Sequence, residues 1–263
     1  MISVAMLHLD LCCGPETQNE SKLLDAIKQA ADMGADWVIT PETAQQGYFW
    51  AVDGDVEALD EQHPDFLMPV SRLAKQKNIT VFFCSAERCP ETSLAFNSCF
   101  VIAPNGDLIG RHRKMSGHGS TESWATHGDV RQVMPTEPLS AGVLICSDSW
   151  HAEHAHALKT DGANVLVVPA AWPPGKHGPG DCWEQRSMDT GLPVWVCNQT
   201  GDHPRLNFHD ATSVVVQNGK TVLSYKGQEE AILLFNWDVE KHQLAKPSWS
   251  VVPIFEKALE AAV

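Results

Sequence analysis

Gly142-Val143-Leu144-Ile145-Cys146-Ser147-Asp148-Ser149-Trp150-His151-Ala152-Glu153 is the stretch that decides how this chain is read. An apolar run leads into a cysteine, and polar residues follow at once. The pattern predicts a buried strand ending at Cys146, with a helix starting just beyond it. In a layered α/β fold, ligands collect at such strand ends. A thiol there can be held rigidly at the mouth of a pocket, so Cys146 is the candidate nucleophile.

Outward from that point, strands and helices alternate. Upstream, a strand over 2–7 precedes a helix over 18–34 with Leu23, Leu24, Ile27 and Ala31 on one face. A short strand over 35–39 is stopped by Pro41-Glu42, which leaves Glu42 at a strand end as well. A loop to about Pro64, a helix over 65–77 and a strand over 79–85 follow. Asn105-Gly106 between strand-like runs 95–103 and 107–112 signals a hairpin, closed by Arg113-Lys114. The segment from Met115 to Gly128 reads as loop. Downstream of the strand 139–145 come a helix over 151–161 and a strand over 164–168 that runs into Pro169-Ala170-Ala171-Trp172. A Pro- and Gly-rich loop over 173–180, a helix over 181–190 and a strand over 194–197 come next. A hairpin around Asn218-Gly219, a last strand over 231–236 and a tail over 238–263 complete the chain. No composition break, repeat or low-complexity tract divides it, so residues 1–263 are expected to form a single α/β domain.

Composition sets limits. The chain has 263 residues, is 43% hydrophobic and carries a formal net charge of -14. Such a balance argues against nucleic-acid and anionic-membrane surfaces, which need clustered Lys and Arg. No apolar run approaches the ~20 residues of a membrane span. The N-terminus, Met1-Ile2-Ser3-Val4, lacks a basic flank, so a cytoplasmic location is expected. The chain has 8 cysteines and no C-x-x-C pair, which favours reduced, buried thiols over a structural zinc site.

A catalytic cysteine needs a base for its proton and donors for the oxyanion formed on attack. Glu42, Lys114 and Cys146 each stand at the end of a strand-like segment. The text around them is specific in order and spacing. Pro41-Glu42-Thr43-Ala44-Gln45-Gln46-Gly47-Tyr48 resembles the P-E-x-x-x-x-G-Y segment of the nitrilase, or carbon–nitrogen hydrolase, superfamily. Asn97-Ser98, Gly106 and Arg113-Lys114 resemble its N-S…G…R-K segment, and Ile145-Cys146-Ser147-Asp148 with Glu153 its I-C-x-D-x-x-x-x-E segment. Arg186 to Asp189 and Asn198 to Gly201 are similar to its R-A-x-E and N-x-x-G.

The resemblance implies a four-layer α-β-β-α sandwich that associates as a homodimer or larger homo-oligomer. It implies a cofactor-free, metal-free amidohydrolase of the amidase-like branch, with a small-molecule amide or carbamoyl compound as substrate. Glu42 would be the general base, Lys114 the oxyanion stabiliser and Cys146 the nucleophile that forms a thioester. The Ser147 N–H would complete the oxyanion hole. Glu122, the only acidic residue between Met115 and Gly128, is the candidate for positioning substrate. Tyr48, His151 and Trp172 are candidates for lining the pocket.

Alternatives remain at this level. An N-carbamoyl amidohydrolase would release carbon dioxide as well as ammonia. A nitrilase is disfavoured because Ser147-Asp148 stands where nitrile-hydrolysing members resemble C-W-E. A non-catalytic metal-binding protein could use His151, His154 and His156, but they lack a third partner at informative spacing. His8 and Ser149-Trp150-His151 depart from the family pattern, and both are expected near the site.

Overall fold

Alternation along the strands sets the layers. The computed structural model describes residues 1–11, 16–48, 59, 65–117, 119, 121–203 and 205–254. In chain order the first half gives β1 (Ile2–His8), α1 (Glu16–Asp32), β2 (Trp37–Ile39), α2 (Met68–Lys77), β3 (Thr80–Arg88), β4 (Ala95–Ile102), β5 (Leu108–Arg113), β6 (Val133–Met134) and β7 (Ala141–Val143). A 3-10 turn (Cys146–Trp150) leads to α3 (Ala152–Thr160), β8 (Val165–Pro169), α4 (Cys182–Thr190) and β9 (Val194–Cys197). The chain continues through β10 (Asp202–His203), β11 (Leu206–Asn207), β12 (Thr212–Gln217), β13 (Lys220–Lys226), β14 (Ala231–Asp238), β15 (Gln243–Leu244) and β16 (Ser250–Pro253).

One sheet runs β15-β14-β1-β2-β3-β4-β5, with β16 also on β14; the other runs β13-β12-β9-β8-β7-β6. Each has a parallel centre, β1-β2-β3 and β7-β8-β9, with antiparallel flanks. In the first sheet Val4, Met6, Trp37, Phe82, Phe235 and Trp237 point to one face and pack with the second sheet's Val167, Trp195 and Val215. Ala5, Leu7, Val38, Val81 and Phe83 point to the other and pack on Leu23, Ile27, Val70 and Ala74 of α1 and α2. On the far side, Leu158 of α3 and Trp183 of α4 close over the second sheet. The result is a mixed α/β fold in which two sheets pack against each other and carry helices.

Trp195 pins the two sheets together. Its ring lies 5.8 Å from Trp37, 5.2 Å from Phe235 and 5.4 Å from Trp237, each edge to face, a favoured aromatic geometry. The parallel centres end beside one another. The Cys197 thiol at the end of β9 lies 3.2 Å from the Ile39 carbonyl oxygen at the end of β2. This shared edge is where the loops carrying Glu42, Lys114 and Cys146 emerge.

Several elements differ from the sequence reading. The 3-10 turn at Cys146–Trp150 was not read from the sequence, whereas α3 falls within the helix expected over 151–161. The tail 238–263 contributes β15 and β16, which both pair with β14. Short strands β6, β10 and β11 lie in segments read without strand. Cys12 and Cys13 lie outside the described residues. Among the described residues, no helix is long and apolar enough to cross a membrane.

The aromatic seam carries a stability expectation. Trp195→Ala removes a fully buried ring from between the sheets and is expected to cost about 3–5 kcal/mol. A urea titration checks this as a lowered midpoint.

Candidate active site

Each of the three candidate groups is held by its backbone before its side chain is considered. After β2, Thr40 N donates to Phe82 O at 3.0 Å and Thr40 Oγ1 accepts from Cys84 N at 2.9 Å, which extends the sheet to the residue before Pro41. Glu42 N then reaches across to Ala170 O of the second sheet at 3.5 Å. Lys114 follows β5 directly. Its N–H donates to Asn97 O and its carbonyl accepts from Gly128 N, both at 2.8 Å. Only glycine fits at 128, because a Cβ there would sit 2.3 Å from Arg113 O.

Cys146 sits at φ +49°, in the left-handed region that a residue with a side chain seldom adopts. Strain of that kind persists only where the surroundings fix it. Asp148 supplies the fixing contacts. Its Oδ2 accepts from Ile145 N at 3.0 Å and His112 Nε2 at 2.8 Å, and its Oδ1 from Met115 N at 2.9 Å and Ser116 N at 2.8 Å. One buried carboxylate thus ties the cysteine turn to the segment following Lys114. Burial would raise the Asp148 pKa, but the His112 hydrogen bond and charge outweigh it and hold it below the usual aspartate range. Arg186 Nη1 completes the clamp, donating to Ser149 O at 3.0 Å and Trp150 O at 3.1 Å.

The side chains converge. Lys114 Nζ donates to Glu42 Oε1 at 2.6 Å and to Glu122 Oε1 and Oε2 at 2.8 and 2.7 Å. Asn97 Nδ2 donates to both Glu42 Oε1 and Glu122 Oε1 at 2.8 Å. Ala171 N donates to Glu42 Oε2 at 3.0 Å. The Cys146 thiol lies close enough to the same Glu42 carboxylate for each to shift the other's pKa. Glu42, Lys114, Glu122 and Cys146 are all buried.

Two carboxylates share one ammonium here, and the electrostatics follow. Burial pushes the Glu42 pKa up, the Lys114 charge opposes and the Glu122 charge adds, leaving Glu42 at about 7. Burial disfavours the Lys114 ammonium, yet the charges of Glu122 and Glu42 outweigh it and hold its pKa well above the usual lysine value. Burial and then the Glu42 charge push the Cys146 thiol well up, so it rests protonated. A resting thiol beside a carboxylate of about 7 is an arrangement for proton transfer during attack.

Lys114 and Cys146 of this cluster line a cavity of ≈ 560 Å³, together with residues that include Tyr48, Ser147 and Trp172. Tyr48 Oη lies 3.1 Å from Thr121 Oγ1, and its ring meets Phe208 edge to face at 6.0 Å. Trp172 packs between Trp150 at 4.9 Å and Trp183 at 5.9 Å.

Other expected residues lie elsewhere. The cavity lining does not include His151, whose exposed ring faces Glu153 Oε1 at 3.4 Å and His154 at 5.3 Å. His154 accepts from Arg131 Nε at Nδ1, 2.9 Å, and meets Ser116 Oγ at Nε2, 3.5 Å. Among the described residues no group of three His, Cys, Asp or Glu could hold a metal ion. His8, expected near the site, is instead a buried clamp: Nδ1 lies 3.0 Å from Ser213 Oγ and Nε2 3.3 Å from Gly227 O. Burial lowers its pKa to about 4. The sequence assigns no role to Asn97, Asp148 or His112. A signal for Asp148 exists in its place two residues after the candidate nucleophile.

Residues 4–246 match the carbon–nitrogen hydrolase family. A probable nitrilase of Schizosaccharomyces pombe is 24% identical over 216 residues, 80% of this chain and 77% of that protein. An N-carbamoylputrescine amidase of Solanum lycopersicum is 23% identical over 279 residues, 95% of this chain and 91% of that protein. Among solved structures, the NitN amidase from Nesterenkonia sp. AN1 superposes with a TM-score of 0.79 at 20% identity, covering 92% of this chain and 95% of that one.

The Asp148 clamp yields an expectation. Its folded pKa lies below the unfolded value, so its contribution is fully present above the ordinary aspartate pKa and is lost as pH falls through the folded one. Asp148→Ala strands three backbone N–H groups and His112, and should cost about 3–5 kcal/mol at neutral pH. Urea titrations at neutral and acid pH check this, because the gap between wild type and variant must narrow on acidification.

Proposed function

This chain belongs to the carbon–nitrogen hydrolase family, and from that premise we propose that it hydrolyses a small-molecule amide to carboxylate and ammonia through a thioester on Cys146. The observation that carries the proposal is the convergence of Glu42, Lys114 and Cys146 from three strand ends, with Lys114 and Cys146 lining one cavity and Glu42 bonded to Lys114 at 2.6 Å.

Glu42 accepts the Cys146 thiol proton as sulfur attacks the carbonyl carbon. Negative charge moves to the carbonyl oxygen, where the Lys114 ammonium and the Ser147 N–H stabilise it. Collapse breaks the C–N bond. The leaving nitrogen takes the proton from Glu42 and departs as ammonia, leaving the acyl group on sulfur. A water then gives its proton to Glu42 and its oxygen to the thioester carbon. Collapse releases the carboxylic acid, and the proton returns to sulfur. One carboxylate serves both halves, which suits a pKa of about 7. Glu122 and Asn97 hold Lys114 and Glu42 in register and keep the lysine charged. No step calls for a metal or an organic cofactor.

The likeness to an N-carbamoylputrescine amidase over nearly the whole chain favours a second reading, a carbamoyl substrate. The same steps would then give carbon dioxide, ammonia and an amine. Measuring both gases from amides and ureido compounds separates the two.

Cys146→Ala is expected to abolish ammonia release while the fold is retained, and Glu42→Gln to lower it by about 10²–10⁴-fold. Intact mass of the wild-type protein mixed with a slow substrate should show the acyl adduct. Activity surviving in Cys146→Ala would sink the assignment.

The pH profile is a separate check. Protonated Glu42 cannot act as base, so kcat/KM is expected to fall about tenfold per unit below its pKa of about 7. A flat profile from acid to neutral pH would remove Glu42 from that role.

A further inference from the structure

Where β9 ends, a side chain continues its ladder. Just past β8, Ala170 N donates to Cys197 O at 2.9 Å. One step further, the rung is made by the amide of Asn198. Its Oδ1 accepts from Trp172 N and its Nδ2 donates to Trp172 O, both at 2.9 Å. The same amide accepts from Gln199 N at 3.1 Å and donates to Thr212 O at 3.2 Å. Both lone pairs and both N–H bonds of a fully buried side chain are thus engaged. Pairing the N–H and the C=O of one residue takes a donor and an acceptor side by side, which the planar amide supplies.

The amide is itself fixed from behind. Asn198 N donates to Ser213 Oγ at 2.9 Å, and Ser213 Oγ lies 3.0 Å from His8 Nδ1. Burial keeps the His8 ring neutral. Its Nε2 faces Gly227 O, which can only accept, so the ring proton sits on Nε2 and Nδ1 is left as an acceptor toward the Ser213 hydroxyl.

What Asn198 holds lies beside the reacting groups. Ala171, the residue before Trp172, donates its N–H to Glu42 Oε2 at 3.0 Å, and Ala170 O accepts from Glu42 N at 3.5 Å. Ala171 and Trp172 line the cavity with Cys146, whereas Asn198 is not among the described lining residues. Pro173 and Pro174 follow and have no N–H. Trp172 is therefore the last residue before Gly175 whose own N–H can pin this segment.

Resting on the reading of Glu42 as general base, we propose that Asn198 is a positioning residue for the hydrolysis. Its amide locks the Trp172 backbone, and through that lock it keeps the Ala171 N–H on Glu42 Oε2. A hydrogen bond to the ionised carboxylate favours that form. The lock therefore helps to set how much base is present as the pH falls.

The test reads Glu42 through Cys146 and needs no substrate. Iodoacetamide alkylates the thiol with loss of iodide, and the thiol proton passes to Glu42. Peptide mass spectrometry follows Cys146 apart from the other thiols. In the wild-type protein its alkylation rate is expected to fall about tenfold per unit below the Glu42 pKa of about 7. In Asn198→Ala this acid limb should move to higher pH by about half a unit to one unit, cutting the rate near about pH 6 by about 3–10-fold while the plateau changes less. Ser213→Ala removes only the hydroxyl behind Asn198 and should move the limb the same way by less; it decides the matter where Asn198→Ala does not fold. Ile27→Ala, in the outer helix layer on the first sheet, should lower the urea midpoint and leave the limb in place. A limb unmoved in the Asn198 and Ser213 variants, or moved as far by Ile27→Ala, would overturn the proposal and leave Glu42 as the base. A wild-type rate without an acid limb near neutrality would overturn the base reading itself.

Discussion

A lysine ammonium shared by two carboxylates, away from water, is the constraint on which the rest of the structure depends. A buried ammonium is tolerated only with partners, and Lys114 has Glu42 and Glu122 within 2.8 Å. Those partners come from different parts of the chain, one after β2 and one in the loop after β5. Asn97 of β4 bridges the two carboxylates. Glu42 also reaches the second sheet through Ala170 and Ala171. The cluster therefore links the two sheets at the edge where the cavity lies. Burial first, and then the carboxylate charges around one ammonium, disfavour a further anion, so the thiol rests protonated and the Glu42 pKa rises to about 7.

The nucleophile is presented by a different device. Strand β7 stops at Val143, and Cys146 takes a left-handed backbone at the start of a tight 3-10 turn. Three residues' worth of turn would be soft if unsupported. Asp148 removes that softness by accepting from the backbone on both sides, Ile145 in the turn and Met115 and Ser116 next to Lys114. Nucleophile and ammonium are therefore fixed relative to one another through a single carboxylate that touches neither. The acid after the cysteine, read from sequence as a mark of substrate preference, has a mechanical role.

Strand ends alone marked Glu42, Lys114 and Cys146 only weakly; the family-like text around each is what made them legible. Glu122 was legible because the resemblance implies a second acid after the lysine and its loop holds one. Asn97 stood in a family-like segment but without a role, because the two acids that its amide bridges lie 55 and 25 positions away. Asp148 and His112 are a pair of the same long-range kind, 36 positions apart. His151 looked favourable because it follows the nucleophile closely, but the 3-10 turn rotates it out toward Glu153. The strands β6, β10, β11 and β15 have two residues each, too few for alternation to register. The second sheet was legible in its apolar centre, where Val165 to Pro169 and Val194 to Cys197 are buried throughout.

Chemistry and recognition occupy different depths of the same cavity. At the floor, the polar groups serve one another: the ammonium holds two acids, and an amide holds both acids. Such a network has little freedom to read a substrate beyond its carbonyl and leaving nitrogen. Discrimination must then come from the wall, where the Tyr48 and Trp172 rings stand above Cys146 and the loop after Trp172 is pinned by Trp172 Nε1 donating to His177 O. A buried charge cluster that fixes the reaction and a largely apolar wall above it are thus built from different side chains of the same cavity.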